Sequence, residues 1–291
     1  MREAENGVDF VKLGFHVSNA LTNRMSRPHR HDEIELTVLE TGWIDYLFGG
    51  QRIRNQAGVL YIRWAAIPHQ SLDFMPGGIH YSLKVPLAWF LNWRLPPAVI
   101  NRLLGGEMLV DHETDAHSSD LAMMRRWHEA FVSGHEDAHR MILLEAEARI
   151  LRLALRKPHT QNSTLNVGTK PVLGKFERMT VFIAGNYTND IDVVQITAAG
   201  GMHPNAGMRL FRQACGLTIL EYLMMHRIWH AQYLLTTSTM KIQDVAQACG
   251  FNSSNRFYAA FKKHVGQQPR EFRDRKSTRL NSSHANISYA V

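Results

Sequence analysis

The second half of the chain contains one pattern twice, and this internal repeat limits the possible fold more than any other feature. Gly201-Met202 corresponds to Gly250-Phe251 at an offset of 49 residues, and the later matches follow at an offset of 50. Those later pairs are Asn205 and Asn255, Phe211 and Phe261, Gly216 and Gly266, Glu221 and Glu271, and Tyr222 and Phe272. The sequence therefore predicts two copies of one supersecondary unit.

The second copy, residues 244–275, has the pattern of two helices joined by a glycine turn. Gly250 can end the first helix in the left-handed conformation that glycine tolerates, and Asn252 or Ser253 can cap the next one. On that helix Phe257 and Phe261 follow the i, i+4 spacing of a buried face. This spacing predicts a helix-turn-helix.

The opposite face of the second helix is polar and cationic, as expected for a helix that enters a DNA groove. Arginine can pair bidentately with guanine and asparagine with adenine, whereas lysines further along suit phosphates. The predicted DNA-contacting residues here are Ser254, Asn255, Arg256, Ala259, Lys262 and Lys263. The alternative is an ordinary amphipathic helix with a solvated charged face.

Two such units, linked by a long helix over 218–236, resemble the AraC/XylS family of bacterial transcription regulators. The resemblance covers residues 175–275 and is carried by Gly250-Phe251, Phe257, Phe261, Gly266 and Pro269. It implies an all-α domain that reads two successive major-groove segments of double-stranded promoter DNA. It also implies control of a carbohydrate-utilisation operon, activation through RNA polymerase and a homodimer formed by the N-terminal domain.

In the first copy, the resemblance places four residues at DNA-contacting positions: Asn205, Met208, Arg209 and Arg212. Asp192 can cap the preceding helix, and Pro204 suits a first helical turn. Gly207 takes the inward position that Phe257 holds in the second copy. Because glycine costs about 1 kcal/mol of helix stability relative to alanine and fills no core volume, we expect the first unit to be the softer one.

The charge of the chain supports a nucleic-acid partner for this half only. Residues 1–170 contain 19 basic and 19 acidic side chains, whereas residues 171–291 contain 14 and 7. The whole formal excess of +7 therefore lies with the repeats. Such an excess drives salt-dependent association with DNA.

The N-terminal part has short strands rich in β-branched and aromatic residues, which predict a small double-sheet barrel. The predicted strands are 34–39, 43–48, 59–63 and 80–85, with hairpin turns at Gly49-Gly50 and at 76–78. On a strand, His29, His31 and Glu35 project from one face because side chains alternate.

His29, His31 and Glu35, followed by His69 after Pro68, resemble the two signature motifs of the cupin superfamily. The resemblance implies a divalent metal on those four residues, iron, manganese, nickel or zinc. The second motif is degenerate, because Ala65-Ala66-Ile67 replaces its proline-glycine turn.

Three hypotheses remain for this cluster. In the first, the barrel is a sensor, and His29, His31, Glu35 and His69 hydrogen-bond a small effector such as a sugar, with Trp64 stacking on it. In the second, a divalent metal is bound. In the third, the histidines are satisfied core residues without a ligand. No cofactor is required under the first or third.

A helical hairpin is predicted after the barrel, beginning with a cap at Ser118 or Ser119 and continuing in a helix over 136–157. That helix has an apolar seam that can pack on its own barrel or on a second subunit. The seam residues are Leu143, Ala146, Ile150 and Leu153. Residues 158–171 are polar, aperiodic and bounded by prolines, so they predict a linker.

The predicted fold class is α+β: a cupin-like β-barrel with a helical hairpin over 1–157, a linker over 158–171 and an all-α double helix-turn-helix domain over 172–275. Residues 276–291 are predicted to be a non-native tail. No apolar run reaches membrane-spanning length and no signal segment is evident, so a cytoplasmic protein without membrane partners is expected. Cys215 and Cys249 are expected to be buried apolar residues.

Two further functions compete with an effector-controlled regulator. One is a metal-dependent cupin enzyme with His29, His31, Glu35 and His69 as ligands, which would have no need of the basic repeat. The other is a DNA-binding regulator whose barrel serves only for dimerisation. No phosphate-binding loop, nucleophile turn or C-x-x-C pair is found in the sequence, so no catalytic role is predicted.

Overall fold

The computed structural model describes residues 9–10, 14–111, 114–135, 137–155 and 174–274. Strands lie in the N-terminal part and the C-terminal part is helical, which confirms the α+β class. The predicted linker over 158–171 and the predicted tail over 276–291 lie outside the described residues.

Two five-stranded sheets, almost entirely antiparallel, form the N-terminal domain. Sheet A has the order β1-β3-β8-β5-β6: Asp9–Phe10, His29–Arg30, His69–Phe74, Trp43–Phe48 and Gln51–Gln56. Sheet B has the order β10-β7-β4-β9-β2: Leu109–Asp111, Leu60–Trp64, Glu33–Leu39, Ile79–Pro86 and His16–Leu21. Apolar residues of both sheets belong to one buried cluster, which extends under the helices.

The four predicted strands are present as β4, β5, β7 and β9, with bounds that differ by at most one residue. Gly49 and Gly50, with φ of 56° and 84°, form the predicted hairpin turn between β5 and β6. The prediction of a second hairpin at 76–78 was wrong, because β8 and β9 belong to different sheets. That turn carries the chain from one sheet to the other.

Four helices complete this domain: α1 (Leu87–Phe90), α2 (Pro97–Leu104), α3 (Thr114–Ser133) and α4 (Ala138–Leu155). Because α3 begins at Thr114, Ser118 and Ser119 lie inside the helix and do not cap it as predicted. On α4, Leu143, Ala146 and Ile150 are fully buried within the chain's own core. These three seam residues therefore pack on the chain's own barrel, whereas Leu153 is half-buried at the edge of the same core.

The C-terminal domain contains seven helices over the described residues. They are α5 (Lys175–Asn186), α6 (Val193–Ala199), α7 (Pro204–Cys215), α8 (Ile219–Thr237), α9 (Ile242–Ala248), α10 (Ser254–Val265) and α11 (Pro269–Asp274). The predicted starts of α6 and α7 are confirmed, since the Asp192 carboxylate caps α6 by accepting from Gln195 N and Pro204 is the first residue of α7. Ser253 precedes α10 without a side-chain cap.

The repeat is visible in the backbone as well as in the sequence. Gly201 and Gly250 have φ of 66° and 80°, and the glycines that end α7 and α10 have φ of 71° and 82°. Glu221 reaches back to the amide of Thr218 (2.8 Å), and Glu271 reaches back to that of Gln268 (2.9 Å). The same turn and the same cap therefore occur in both copies.

The helix α8 joins the two units and packs on the N-terminal domain, mainly against α1. Cys215 and Cys249 are buried, form no disulfide and belong to separate apolar clusters, as expected. Among the described residues, no helix has the length and apolarity needed to span a membrane.

Candidate DNA-binding surface and effector site

The outward face of α10 presents the residues predicted to contact DNA. Phe257 and Phe261 are fully buried and fix the rotation of the helix. On the opposite face, Asn255, Arg256, Ala259, Lys262 and Lys263 are exposed, while Ser254 at the helix start is half-buried. The base-reading types lie near the amino end of the helix and the lysines near its carboxyl end, as direct readout with phosphate anchoring requires.

The helix α7 presents a second, similar face. Its buried residues are Gly207, Phe211 and Cys215. The predicted contact residues Asn205, Met208, Arg209 and Arg212 are all exposed. The predicted contact faces of both recognition helices are therefore exposed and accessible to DNA.

Gly207 has a packing role that the sequence did not indicate. A Cβ atom at Gly207 would overlap the side chain of Thr197, which is fully buried on α6. In the second unit, Ala246 corresponds to Thr197 and Phe257 corresponds to Gly207. Gly207 therefore leaves no gap in the core, because Thr197 occupies that space, and the softer first unit stays a prediction.

The two units also contact each other directly. A Cβ on Gly250, in the turn of the second unit, would lie 2.7 Å from the carbonyl oxygen of Thr188, which follows α5. Arg227 of α8 donates to the carbonyl oxygens of Tyr187 (2.7 Å) and Asn189 (2.9 Å) in the same loop. These contacts fix the position of the second turn relative to the first unit.

A polar cluster lies between the two sheets, centred on Glu35. Its carboxylate accepts from Arg63 (2.7 Å) and Ser82 (2.9 Å), and Lys84 Nζ lies 3.5 Å away. Burial by itself would raise the pKa of Glu35, but the charges of Arg63 and Lys84 outweigh it and hold the pKa well below its usual range. Glu35 was predictable from its spacing to His31, but its partners depend on the strand register. The one indication in the sequence is a charged Arg63 inside the apolar strand LYIRW.

Several buried polar groups of the two sheets and the segment that joins them make no hydrogen bond within the described chain. They are both side-chain amide atoms of Asn55, the hydroxyl of Thr37, Nε of Arg63 and Nε2 of His31. Native proteins rarely leave so many buried donors and acceptors unpaired. A small ligand with several hydroxyl or carbonyl groups would satisfy them.

His29, His31 and His69 are brought together as predicted. The ring centroids of His29 and His69 are 4.3 Å apart, and those of His31 and His69 are 5.4 Å apart. One nitrogen of each ring lies within 4.8 Å of the other two. Burial lowers the pKa of His29 to about 4 and that of His69 well below its usual value, which favours neutral imidazole, the form that binds metals.

The surroundings of the histidines fit a metal. His31 Nδ1 lies 2.8 Å from Glu33 Oε2, and His69 Nδ1 lies 3.0 Å from the carbonyl oxygen of Ile67. Such contacts orient metal-binding imidazoles and leave Nε2 for the ion. Glu35, the predicted fourth ligand, lies 3.9 Å from His31 Nε2 with both oxygens engaged elsewhere, so a metal ion here would have the three histidines as its ligands.

Trp64 does not belong to this site, and its predicted stacking role was wrong. In sheet B, Arg63 is opposite Glu35 and Trp64 is opposite Ile34. Adjacent strand residues point to opposite faces, so Trp64 lies on the helix-covered side of the sheet. The β-strand register, which the sequence did not define, separates it from the histidines.

Comparison with known proteins agrees with the two-part architecture. A family model described as a helix-turn-helix domain matches residues 196–275. The melibiose operon regulatory protein of Escherichia coli K12 is 28% identical over 255 residues, covering 86% of this chain and 84% of the relative. The transcriptional activator RhaR of Klebsiella pneumoniae is 31% identical over 143 residues, covering 48% and 51%.

A solved structure of a transcriptional regulator from Chromobacterium violaceum, described as containing an AraC-type DNA-binding domain, is 25% identical to this chain. The match covers 36% of this chain and 94% of the solved chain, with a TM-score of 0.34. The matched domain is a DNA-binding one and the curated relatives are named as transcription regulators, so the chain is not an enzyme. The repeat, the two exposed recognition helices and the match of residues 196–275 to a helix-turn-helix family model identify the C-terminal domain as a DNA-binding domain of the helix-turn-helix type, and most of the chain is similar to a curated transcription regulator.

Proposed function

We propose that the protein regulates a carbohydrate-utilisation operon, as an activator, in response to a small polyhydroxylated effector bound between the two sheets. The observation that carries the effector is the set of unpaired buried groups at Thr37, Asn55 and Arg63. A sugar offers alternating donors and acceptors of the kind these groups lack. The relatives named for melibiose operon regulation and for RhaR agree with a sugar response.

The experiment is a selection of DNA sites from a random duplex library by the full chain, with and without a panel of mono- and disaccharides. We expect one sugar to change the affinity for the selected site by at least about fivefold, the lower range of allosteric coupling. Asn55→Ala should remove the response while leaving sugar-free DNA affinity unchanged. A response that persists in Asn55→Ala would move the effector elsewhere, and no response to any sugar would reject this ligand class.

A divalent metal is the second candidate, and the observation that favours it is the orientation of the histidines. With Nδ1 of His31 and His69 turned to Glu33 and Ile67, three Nε2 or Nδ1 atoms of the cluster remain for one ion. Three imidazoles with open positions suit zinc, nickel or iron(II). Such an ion would complete the effector site by offering a coordination position to an effector hydroxyl.

We also propose that the protein acts as a homodimer in the cytoplasm and contacts RNA polymerase at the promoter. For the dimer, the support is an exposed apolar strip on α4, opposite to the buried seam. Its members Met141, Leu144 and Leu155 are 37%, 57% and 74% exposed. Contact with RNA polymerase is supported by the family alone.

A further inference from the structure

The five residues 29–33 connect sheet A to sheet B and have two different faces. His29 and His31 point to the histidine cluster, and Glu33 supports His31. Arg30 and Asp32, between them, point to the C-terminal domain. One short segment therefore contacts the effector site with its odd-numbered residues and the DNA-binding domain with its even-numbered ones.

Asp32 meets the helix that joins the two DNA-binding units. Its Oδ2 lies 2.7 Å from Nε2 of His226 on α8, and both side chains are buried to 1% exposure or less. The His226 ring also packs against the Tyr222 ring, with centroids 4.9 Å apart. The contact does not have the geometry of a hydrogen bond, so it is a close approach of two buried polar groups, and removing either leaves the other with no charge-complementary neighbour.

Arg30 holds the first unit at α5. Its Nη1 donates to Glu177 Oε1 at 2.8 Å, with both side chains 11% exposed. The guanidinium also lies over the Phe176 ring, 5.0 Å from the centroid. A second contact region lies at α1 and the turn after it. Trp89 Nε1 donates to the carbonyl oxygen of Trp229, and Asn92 Nδ2, just past the helix, donates to the Tyr187 hydroxyl (3.0 Å).

We propose that residues 29–33 couple occupancy of the histidine cluster to docking of the DNA-binding domain on the barrel, through Asp32–His226 and Arg30–Glu177. This coupling rests on the proposed ligand-binding role of that cluster. It is the route by which ligand binding there would affect the DNA-binding domain. A ligand on His29 and His31 holds this segment in the conformation that also docks α5 and α8. Because linkage is reciprocal, docking strengthens ligand binding by the same factor.

The segment is suited to this role because few conformations are open to it. His31 N donates to the carbonyl oxygen of Ala65 (3.0 Å), and Leu87 N donates to that of Asp32 (3.2 Å). With both ends tied into different sheets, a rotation that displaces the His31 ring also displaces the Asp32 carboxylate. Interfaces of packed, hydrogen-bonded groups change between discrete arrangements rather than deforming gradually.

The first test is a double-mutant cycle on the full chain with His69→Gln, His226→Gln and the pair, read by hydrogen exchange in α8. His69 lies on β8 in sheet A and reaches α8 only through residues 29–33 in this proposal. We expect His69→Gln to accelerate exchange around residue 226 by at least about fivefold, and to have no added effect once His226 is replaced. Equal effects in both backgrounds, or no effect of His69→Gln, would overturn the proposal.

The second test uses zinc as the probe on the wild type, on Asp32→Asn and on the control Asp73→Asn, an exposed aspartate of β8. Zinc should slow hydrogen exchange in α8 of the wild type and of the control. In Asp32→Asn, zinc should still bind but leave the exchange rate of α8 unchanged. Zinc binding without any change in wild-type α8 would reject the coupling. If the wild type does not bind zinc, the metal hypothesis fails by itself, and the mutant cycle decides the coupling.

Discussion

Gly207 on α7 lies so close to Thr197 on α6 that a single added methyl group would overlap the Thr197 side chain. The first unit thus gains its tight helix-helix contact from the smallest residue on one helix and a fully buried threonine on the other. At the corresponding positions the second unit has a small Ala246 and a large Phe257, both buried in one apolar cluster.

Gly207→Ala should therefore destabilise the first unit by about 1 to 3 kcal/mol, the usual cost of overpacking, although alanine favours helix. Gly185→Ala is the matched control, since Gly185 is an exposed residue of α5 with open space around its Cβ position. That control should be neutral or stabilising by up to about 1 kcal/mol. Hydrogen exchange of residues 193–215 measures both, and a stabilising Gly207→Ala would refute the contact.

The buried His230 on α8 gives a pH dependence with a definite sign. Burial lowers the pKa of His230 from 6.5 to about 4, so the ring is neutral in the folded chain while the unfolded chain takes up the proton first. Above about pH 6.5 the buried neutral ring does not reduce the free energy of unfolding. As the pH falls toward 4, that free energy decreases, because only the unfolded chain binds the proton. His230→Gln should reduce the loss of unfolding free energy between pH 7 and 4 by up to about 3 kcal/mol.

Urea denaturation at several pH values measures that slope. The exposed His203 provides the control, because His203→Gln should keep the wild-type slope. If His230→Gln and the wild type lose stability equally on acidification, the pKa of His230 does not differ between the folded and the unfolded chain.

Glu33 should matter for metal binding without being a ligand. Its Oε2 lies 2.8 Å from His31 Nδ1 and so orients the imidazole. Loss of such support commonly costs 10- to 100-fold in affinity, so Glu33→Gln should weaken zinc binding by about that factor in an isothermal titration. Glu40→Gln, at the far end of the same strand region, should bind zinc as the wild type does.

Leu144 tests the dimer. Because its side chain is 57% exposed on α4, Leu144→Glu should dissociate a dimer built on that strip while leaving the fold intact. Leu220→Glu, at a residue 56% exposed on α8, is the control. Sedimentation equilibrium separates the outcomes, and a wild-type chain that stays monomeric at high concentration would exclude the dimer.

The sequence predicted those parts of the fold that depend on local pattern. The repeated glycines, the buried Phe257 and Phe261 and the cap at Asp192 each follow from short-range spacing, and all are confirmed. The grouping of His29, His31 and His69 was also predictable, because two of them alternate on one segment.

The remaining features depend on long-range register and packing. The strand register decides that Arg63 and not Trp64 faces Glu35. The position of the Thr197 side chain explains why a residue without a Cβ atom is needed at Gly207. The Asp32–His226 pair joins residues far apart in the chain, and no periodicity marks either one.

The most direct test of the central claim, that both recognition helices read DNA, is a hydroxyl-radical footprint of the full chain on a selected duplex. We expect protection of two successive segments about one helical turn apart on one face of the DNA. Arg209→Ala should weaken one segment, Arg256→Ala should relax base preference in the other at a cost of about 1 to 3 kcal/mol, and Lys262→Ala should weaken all sequences alike. A single protected segment that Arg209→Ala leaves unchanged would contradict the account.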